Sequence, residues 1–510
     1  MLPVLSAEQV RSIDRLTIER EPVASLDLME RAAKAFTTAF LLAHGHSPRP
    51  VLVVCGPGNN GGDGLAIARL LAGRKWPVRV LCPYDPNASS ADNAINLRRS
   101  KELPINVLIG PHRSIPPVAA GEVVIDALFG TGLDRPLEGH FLQLVKDLNA
   151  RKARVFSVDL PSGAWADGGP DDRSAIVQAE WTCTFQVPKP FMLLPEHSSS
   201  CGVWQIADIG LDKEAIASCD SRHHLVEPGD VSRRLANRHR NAHKGSFGHA
   251  LIAAGGQGHL GAAVMAVAAA TRSGAGLVTA YVPSGGAQAI HSAVPEAMVV
   301  EDGPMPFLSS RIPEGRWSAV GIGPGIGQSE ATVHVLDELM RTFKGPIVFD
   351  ADALNILAAT PGMLGSVRAG SVLTPHPGEA DRLFGASIDS RERIQKASAF
   401  AQLRRVVVVV KGANTAICLA DGRVLFNATG NAGLAKGGSG DALTGLITGS
   451  LAQGLRAEDA AVVGVWVHGL AGDLAAAELG QDGMTTMDVI RAVPRAFQRV
   501  REGGCWQNEK

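Results

Sequence analysis

A carboxylate at the head of an apolar helix, just after a glycine-rich turn, can take a proton from a group whose phosphate the turn holds. Gly430-Asn431-Ala432-Gly433-Leu434-Ala435-Lys436-Gly437-Gly438-Ser439-Gly440-Asp441 runs directly into the apolar segment Ala442-Leu443-Thr444-Gly445-Leu446-Ile447. Glycines allow the chain to turn through positive φ and leave unpaired N–H groups at a helix N-terminus, where the macrodipole favours negative charge. The stretch therefore reads as an anion cradle, with Asp441 beside it as a base. For an isolated Ser-Gly-Asp a plain helix cap is the better reading. What favours chemistry is the company of further polar turns at strand ends.

In the same half these are Gly321-Ile322-Gly323-Pro324-Gly325-Ile326-Gly327, Phe349-Asp350-Ala351-Asp352-Ala353-Leu354-Asn355, Thr374-Pro375-His376-Pro377-Gly378-Glu379 and Val410-Lys411-Gly412-Ala413-Asn414-Thr415. His376, stiffened between two prolines, suits a fixed hydrogen bond, against the plainer role of packing on its loop. Lys411 next to Gly412 suits a nucleotide phosphate, against a solvated lysine at a strand end. No G-x-x-x-x-G-K-[ST] is present, so the cradle is not a P-loop.

The N-terminal half has its own glycine-rich turn, Gly56-Pro57-Gly58-Asn59-Asn60-Gly61-Gly62-Asp63-Gly64, between the apolar run Val51 to Cys55 and a helical pattern over Leu65 to Leu71. Formally it contains G-x-G-x-x-G, with Asp85 as a ribose partner after the next strand, but that dinucleotide fingerprint is weak alone. Asn-Asn-Gly-Gly-Asp offers more: oxygen ligands for a hard cation and donors for a phosphate. The plainer reading has the asparagines tolerating left-handed backbone and Asp63 capping the helix. Val123-Val124-Ile125-Asp126-Ala127-Leu128-Phe129-Gly130-Thr131-Gly132 and Val155-Phe156-Ser157-Val158-Asp159-Leu160-Pro161-Ser162-Gly163 also end strands. The carboxyl ends of parallel strands share one crevice, so Asn60, Asp126, Asp159 and Ser162 are expected to converge.

The elements that must position these residues are those of α/β layers. Short valine-rich runs alternate with alanine-rich helices, and 510 residues suggest about two to four domains. Ser6-Ala7-Glu8-Gln9 reads as a capping box before a helix bearing Val10, Ile13, Leu16 and Ile18, with a second helix over Leu26 to Ala43. Strands around Trp181 to Val187 and Val203 to Ile209 complete the first layer. Ala217 to Gly248 loses periodicity and gathers basic residues and histidines without a carboxylate or thiolate pattern, so it reads as a solvated join rather than a zinc site. Strands are then expected at Ala250 to Ala254, Leu277 to Val282, Val320 to Ile322, Ile347 to Asp350, Val372 to Leu373 and Val406 to Val410. A helix is expected over Ala262 to Ser273, and a hairpin turns at Asp421-Gly422.

Balanced charge, 49 basic against 50 acidic residues without a long run of either sign, argues for a small-molecule partner, with no nucleic acid and no membrane. The seven scattered cysteines, including Cys505, form no C-x-x-C pair, so reduced thiols and a cytoplasmic setting are expected. The N-terminus does not have the form of a secretory signal. The apolar stretch Ala460 to Leu479 contains His468 and Asp473, and no membrane-spanning helix is expected.

N-N-G-G-D-G, D-A-L-F-G-T-G-L and V-D-L-P-S-G, in that order over about residues 1–215, resemble the YjeF N-terminal family of NAD(P)HX epimerases and apolipoprotein A-I-binding proteins. That resemblance implies a Rossmann-like three-layer sandwich. The hydrated dinucleotide would be held by Asn59, Asn60, Gly61, Gly62, Asp63, Gly130, Thr131, Gly132, Leu133, Asp134, Arg135 and Pro136 together with Asp159, the implied acid/base. A potassium ion would be held by Asn60, Asp126 and Ser162.

G-G-S-G-D with T-P-H-P-G-E, D-A-D-A-L-N and K-G-A-N-T is similar to the YjeF C-terminal family, the ADP/ATP-dependent NAD(P)HX dehydratases of ribokinase-like α/β fold. That domain is expected over 225–510, after a join at 216–248. The similarity implies an adenine nucleotide on Lys411, Gly412, Ala413, Asn414, Thr415 and Gly440, with magnesium as an accompanying ion. The hydrated dinucleotide would lie on Ala262, Gly325, His376 and Asp441, and Asp441 would be the principal catalytic residue. Relatives carry methionine where this chain has Ser439.

Together the halves imply repair of NADHX and NADPHX: the first domain interconverts the R and S epimers, and the second dehydrates the S epimer with ADP, or ATP, as co-substrate. A homo-oligomer is expected. The rival readings are a ribokinase-like small-molecule kinase joined to a non-catalytic dinucleotide-binding module and, last, a dehydrogenase, which leaves Asn-Asn-Gly-Gly-Asp unexplained.

Overall fold

The computed structural model describes residues 1–112, 114–168, 175–235 and 237–503. Leu2–Ser221 form one compact unit, and Arg222 onward, with Met1, forms the other. Cys55, Cys82, Cys183, Cys201, Cys219 and Cys418 are free thiols, and Cys505 lies outside the described residues.

The first unit is built on a seven-stranded sheet, parallel throughout. Its strands are β1 (Val51–Cys55), β2 (Val78–Cys82), β3 (Asn106–Ile109), β4 (Val123–Ala127), β5 (Arg154–Val158), β6 (Trp181–Phe185) and β7 (Val203–Ala207). They lie in the order β3-β2-β1-β4-β5-β6-β7. Helices cover both faces. Val51, Val53 and Cys55 pack with Phe36, Phe40, Leu65 and Ile67, from α2 (Ser25–His44) and α3 (Asn59–Gly73). Leu52 and Val54 pack with Leu144, Val145 and Leu148 of a helix over Gly139–Ala150. This is the expected three-layer sandwich, and double coverage explains why β1 and β4 are buried throughout and, but for Asp126, apolar. The helix before α2, α1 (Ala7–Arg20), starts on the expected capping box: Ser6 Oγ accepts from the Gln9 N–H, and Gln9 Oε1 accepts from the Ser6 N–H.

Asn-Asn-Gly-Gly-Asp differs from its expected form. It is the first turn of α3, which starts at Asn59 rather than near Leu65. Its glycines are there for close approach. A Cβ on Gly61 would lie 1.8 Å from the Gly56 carbonyl oxygen, and one on Gly62 would lie 2.7 Å from the Met29 side chain. Gly61→Ala is therefore expected to destabilise the first unit by about 3 kcal/mol or more through overpacking. A thermal melt of the variant that leaves every transition in place contradicts this.

The strands of the second unit are β8 (His223–Leu225), β9 (His249–Ala253), β10 (Leu277–Val282), β11 (Met298–Glu301), β12 (Ala319–Ile322), β13 (Ile347–Phe349), β14 (Val372–Leu373), β15 (Val407–Val410), β16 (Thr415–Cys418) and β17 (Val424–Asn427). They pair in the order β8-β17-β16-β15-β14-β13-β12-β9-β10-β11. Pairing is parallel except where β15, β16 and β17 turn back on each other, the last two as the expected Asp-Gly hairpin. Two strands were not anticipated. β8 falls inside the segment read as a solvated join, and pairs through His223, His224 and Leu225 with β17. A short helix, Pro228–Ser232, follows it, so this stretch begins the second unit. β11 is a short, half-exposed edge strand, hence its weak apolar signal.

Over this sheet, α6 (Leu260–Arg272) lies against α9 (Ser439–Ala452), and α7 (Ala351–Ala359) and α8 (Pro377–Phe384) fall between them in the chain. Glycine sets the spacing, since a Cβ on Gly445 would lie 2.0 Å from the Ala266 carbonyl oxygen. The next helix, α10 (Ala457–Gly483), is long and apolar enough to cross a membrane, with mean hydropathy 1.5. It is nonetheless 78% buried inside the unit across its most apolar window, the pattern of a core helix.

Candidate active sites

In the first unit β1 has β2 on one side and β4 on the other, so the chain leaves the carboxyl ends of β1 and β4 in diverging directions and opens a crevice. A cavity of about 560 Å³ lies there. Asn59, Asn60, Asp63, Gly130, Thr131, Gly132, Leu133 and Asp159 line it. Gly61 and Gly62 do not, being buried in the packing of α3, and Asp134, Arg135 and Pro136 are exposed and off its wall. Asp85 is also absent from the wall; its carboxylate caps the turn at Asn87.

Asp159 follows β5 with φ +64°, a left-handed conformation uncommon for a residue with a side chain. The strain aims the carboxylate at a dense set of donors. Oδ1 accepts from Lys189 Nζ at 2.6 Å, Thr184 Oγ1 at 3.2 Å and the Phe185 N–H at 3.2 Å, while Oδ2 accepts from the Thr131 N–H at 3.3 Å. Lys189, itself fully buried, also donates to Thr184 Oγ1 and the Phe185 carbonyl. Gly130 sits between two of the expected residues: a Cβ there would lie 3.0 Å from Asn60 Oδ1 and 3.2 Å from Asp159 Oδ2.

Asp126 and Ser162 come together in the interior beside this cavity's lining. Ser162 Oγ donates to Asp126 Oδ1 at 2.5 Å, and its N–H donates to Oδ2 at 2.8 Å. Ser157 Oγ also donates to Oδ2, and the Phe129 N–H donates to Ser162 Oγ. Burial pushes the Asp126 carboxyl up, against the pull of these hydrogen bonds. Asp126 is in no ion pair among the described residues, and Asn60 Nδ2 is buried without a partner. The buried Asp126 carboxylate without a counter-charge, the Ser162 hydroxyl bonded to it and, on the cavity wall, an Asn60 amide that exposes oxygen when turned over are oxygen donors of the kind that suits a hard cation.

In the second unit the crevice opens where β9 lies between β10 and β12. Gly325, at φ +65°, follows β12, and a Cβ on it would lie 2.9 Å from His259 Cβ and 3.5 Å from Ala262 Cβ, so Ala262 and Gly325 are neighbours. The next strands deliver the charges. Asp350 follows β13 and is buried; Lys411 follows β15 and donates to Asp350 Oδ1 at 2.8 Å. Thr444 Oγ1, one turn into α9, donates to Asp350 Oδ2 at 2.8 Å. Gly440 lies over this pair, since a Cβ on it would sit 3.2 Å from Lys411 Nζ. Gly412 and Ala413 are exposed, and Asn414 and Thr415 are half-buried.

Burial pushes Asp350 up, but Lys411 and the surrounding hydrogen bonds outweigh it and hold the carboxyl below its usual range. Burial likewise pushes Lys411 down, and Asp350 and Glu379 outweigh it and hold the ammonium above its usual range. Asp441, half-buried in the first turn of α9, is pushed up to about 7 by burial and then by the Asp350 charge, with Lys411 opposing. That places a carboxyl where it exchanges protons near neutrality.

His376 is the N-cap of α8. Its Nδ1 accepts from the Gly378 and Glu379 N–H groups at 3.1 and 3.2 Å, leaving a ring whose side chain is 51% exposed. Ser439 Oγ lies 3.3 Å from His468 Nε2, and burial pushes that imidazole down to about 4, so a neutral histidine partners the serine.

The sequence reading missed Asp14, Thr184 and Lys189 in the first unit and Asp350 as an ion-pair partner in the second. Lys189 had a signal, its place between Pro188 and Pro190. Asp14 had another, an acidic residue at helical spacing between Val10 and Ile18.

The family model described as NAD(P)H-hydrate dehydratase matches residues 250–495, and that described as YjeF-related protein N-terminus matches residues 25–191. The bifunctional NAD(P)H-hydrate repair enzyme Nnr of Moorella thermoacetica is 35% identical over 98% of this chain and 97% of its own. The protein of the same description from Escherichia coli is 34% identical, over 96% and 93%. A solved ADP/ATP-dependent NAD(P)H-hydrate dehydratase from Bacillus subtilis, co-crystallised with ATP/Mg2+, is 30% identical and covers 54% of this chain and 98% of its own, with a TM-score of 0.48. The likeness to the repair enzymes takes in the Asp159 cavity and the Asp441 helix start within one continuous stretch, and the chain accordingly belongs to the family of bifunctional NAD(P)H-hydrate repair enzymes.

Proposed function

We propose that the chain restores NADH and NADPH from their hydrates, the Asp159 cavity interconverting the R and S epimers and the Asp441 site dehydrating the S epimer at the expense of an adenine nucleotide. The observation that carries this reading is the repetition of one device in two separate crevices. In each, an aspartate that follows a strand is anchored on a largely buried lysine, Asp159 on Lys189 and Asp350 on Lys411.

In the second unit Asp441 takes the proton of the substrate hydroxyl as the hydroxyl oxygen attacks the terminal phosphorus of the nucleotide, the bond from that phosphorus to the bridging oxygen breaks and the shortened nucleotide leaves, and the N–H groups at the start of α9 receive the phosphate charge. The phosphate ester is a good leaving group. Its C–O bond breaks with the electron pair, the neighbouring ring carbon loses a proton, and the ring double bond returns. Ala262, Gly325 and His376 hold the hydrated dinucleotide, and Lys411, Gly412, Ala413, Asn414, Thr415 and Gly440 the nucleotide. ADP is the proposed donor, with ATP as its alternative, and magnesium would accompany the nucleotide phosphates and supply positive charge there.

In the first unit Asp159 is the acid/base, and Asn59, Asn60, Asp63 and the Gly130 to Leu133 turn hold the substrate. A potassium ion on Asn60, Asp126 and Ser162 would supply positive charge for the dinucleotide phosphates. The test is a mixture of R and S NADHX given to the whole chain with ADP, with ATP or with neither, followed by dihydronicotinamide absorbance. Recovery of the entire mixture, with ADP faster than ATP and none without nucleotide, is expected. Recovery confined to the S fraction removes the epimerase, and net phosphate on a stable product would make the second unit a kinase.

A further inference from the structure

Asp14 has no role in the chemistry described so far. It projects from α1, the helix over Ala7–Arg20, and it lines the same cavity as Asp159, Asp63, Asn60 and Lys189. Val10 and Ile18, one turn to either side of it, line the cavity with it, so one face of α1 is its wall. The groups that donate to Asp159, namely Thr131, Thr184, Phe185 and Lys189, are each committed to it, whereas the half-buried Asp14 carboxylate takes a hydrogen bond from no described residue. It therefore faces the cavity ready to meet a group that enters it.

We propose that Asp14 is a second catalytic carboxylate of the first unit, the acid that releases the hydroxyl of the hydrated ring while Asp159, from the sheet side of the cavity, serves as the base for its return. This inference rests on the epimerase reading of the cavity. Inverting a carbon requires its bond to be broken on one face and remade on the other, so groups on two walls are needed, and one carboxylate from a helix and one from a strand end supply them.

Hydration of an enamine puts the hydroxyl on the carbon next to nitrogen, because the proton adds to the other carbon. The Asp14 carboxyl gives its proton to that hydroxyl. The C–O bond breaks, its electron pair leaving with water, and the nitrogen lone pair closes to a C=N⁺ bond. Water then adds to the opposite face, the nitrogen recovers its lone pair, and the proton shed by the incoming water passes to the Asp159 carboxylate. One water leaves and one enters, one carboxyl loses a proton and the other gains one, nothing is oxidised or reduced, and passage in the opposite direction resets the pair. Burial and then the Asp159 charge push Asp14 up to about 6, with Lys189 opposing, so the group gives up its proton within reach of neutral pH. Burial, and then Asp159 and Asp14, push the Asp63 carboxyl well above its usual range. The charged groups facing Asp14 are thus Asp63 from α3, Asp159 and Lys189 from the sheet side, and Arg11 on its own helix.

The experiment follows R-to-S exchange of NADHX by the full chain without nucleotide, corrected for spontaneous exchange. Asp14→Asn is expected to lower kcat about 100-fold with KM changed by less than about threefold, while dehydration of pure S epimer with ADP is retained. In the intact chain kcat is expected to fall as pH rises through about 6, where Asp14 loses its proton, and the residual activity of Asp14→Asn is expected to lack that limb. Asp14→Glu, which keeps the acid, should retain at least about a tenth of the activity and covers the case in which the amide variant folds poorly. Exchange by Asp14→Asn within about threefold of the intact chain, or equal losses in Asn and Glu variants of unchanged melting temperature, overturns the assignment. An intact chain that does not accelerate exchange overturns the epimerase reading instead.

Discussion

Asp441→Asn is expected to lower nucleotide-dependent dehydration of the S epimer by about 10³- to 10⁴-fold while leaving R-to-S exchange at the rate of the intact chain. The size follows from what the amide cannot do. It occupies the same place at the start of α9 and can still accept a hydrogen bond, so dinucleotide binding should survive, but it cannot take the hydroxyl proton. The loss should therefore fall on kcat, with KM little changed. The intact chain carries a second signature of the same group. Burial and the neighbouring Asp350 push the Asp441 carboxyl up to about 7, and a base works only when ionised, so kcat/KM for dehydration should rise with pH through about 7 and then level. A profile already flat below pH 6, or equal loss of dehydration and exchange in a folded Asp441→Asn chain, would show that Asp441 is not the base of a separate second site.

What could be read beforehand was whatever depends on sheet geometry. In a parallel sheet all strands end on one edge, so Asp126, Asp159, Gly325, His376 and Lys411 could be assigned to crevices from their places at the ends of apolar runs, without knowing strand order, while Asp441 was legible from the glycine turn at its helix start. The order itself, and with it the position of each crevice beside β1 and β9, is set by tertiary packing. What stayed hidden are the partners from elsewhere in the chain. Lys189 reaches Asp159 across 30 positions and Lys411 reaches Asp350 across 61, and periodicity has no term for such pairs. Asn-Asn-Gly-Gly-Asp was misread as a loop because helix propensity penalises glycine; packing against Gly56 and Met29 overrides that penalty, since no larger residue lets α3 approach. His223–Leu225 was missed for a related reason. A strand three residues long, with two histidines, has no apolar alternation to betray it and exists because β17 offers an open edge.

Asp159→Asn is expected to lower exchange by about 10³- to 10⁴-fold, so that a mixture of the R and S epimers given ADP stops at the S fraction and the remainder is recovered only at the spontaneous rate. It should also cost stability, which Asp441→Asn should not. Among the described residues Asp159 is the one ion-pair partner of Lys189, whose side chain is 1% exposed, and removing one member of a buried pair leaves the other without compensation, at about 3 to 5 kcal/mol. Loss of exchange in Asp159→Asn could thus come from chemistry or from unfolding of the first unit. Lys189→Met separates the two. It removes the other member and destabilises in the same way, yet keeps the carboxylate in the cavity, so exchange per folded molecule should remain well above that of Asp159→Asn. The decisive arrangement mixes the two aspartate variants. Asp441→Asn supplies exchange and Asp159→Asn supplies dehydration, and because the hydrate diffuses between chains, the mixture should recover both epimers in full although neither variant does so alone. A mixture that still stops at the S fraction, with both chains folded, would mean that the two aspartates do not serve two separable reactions.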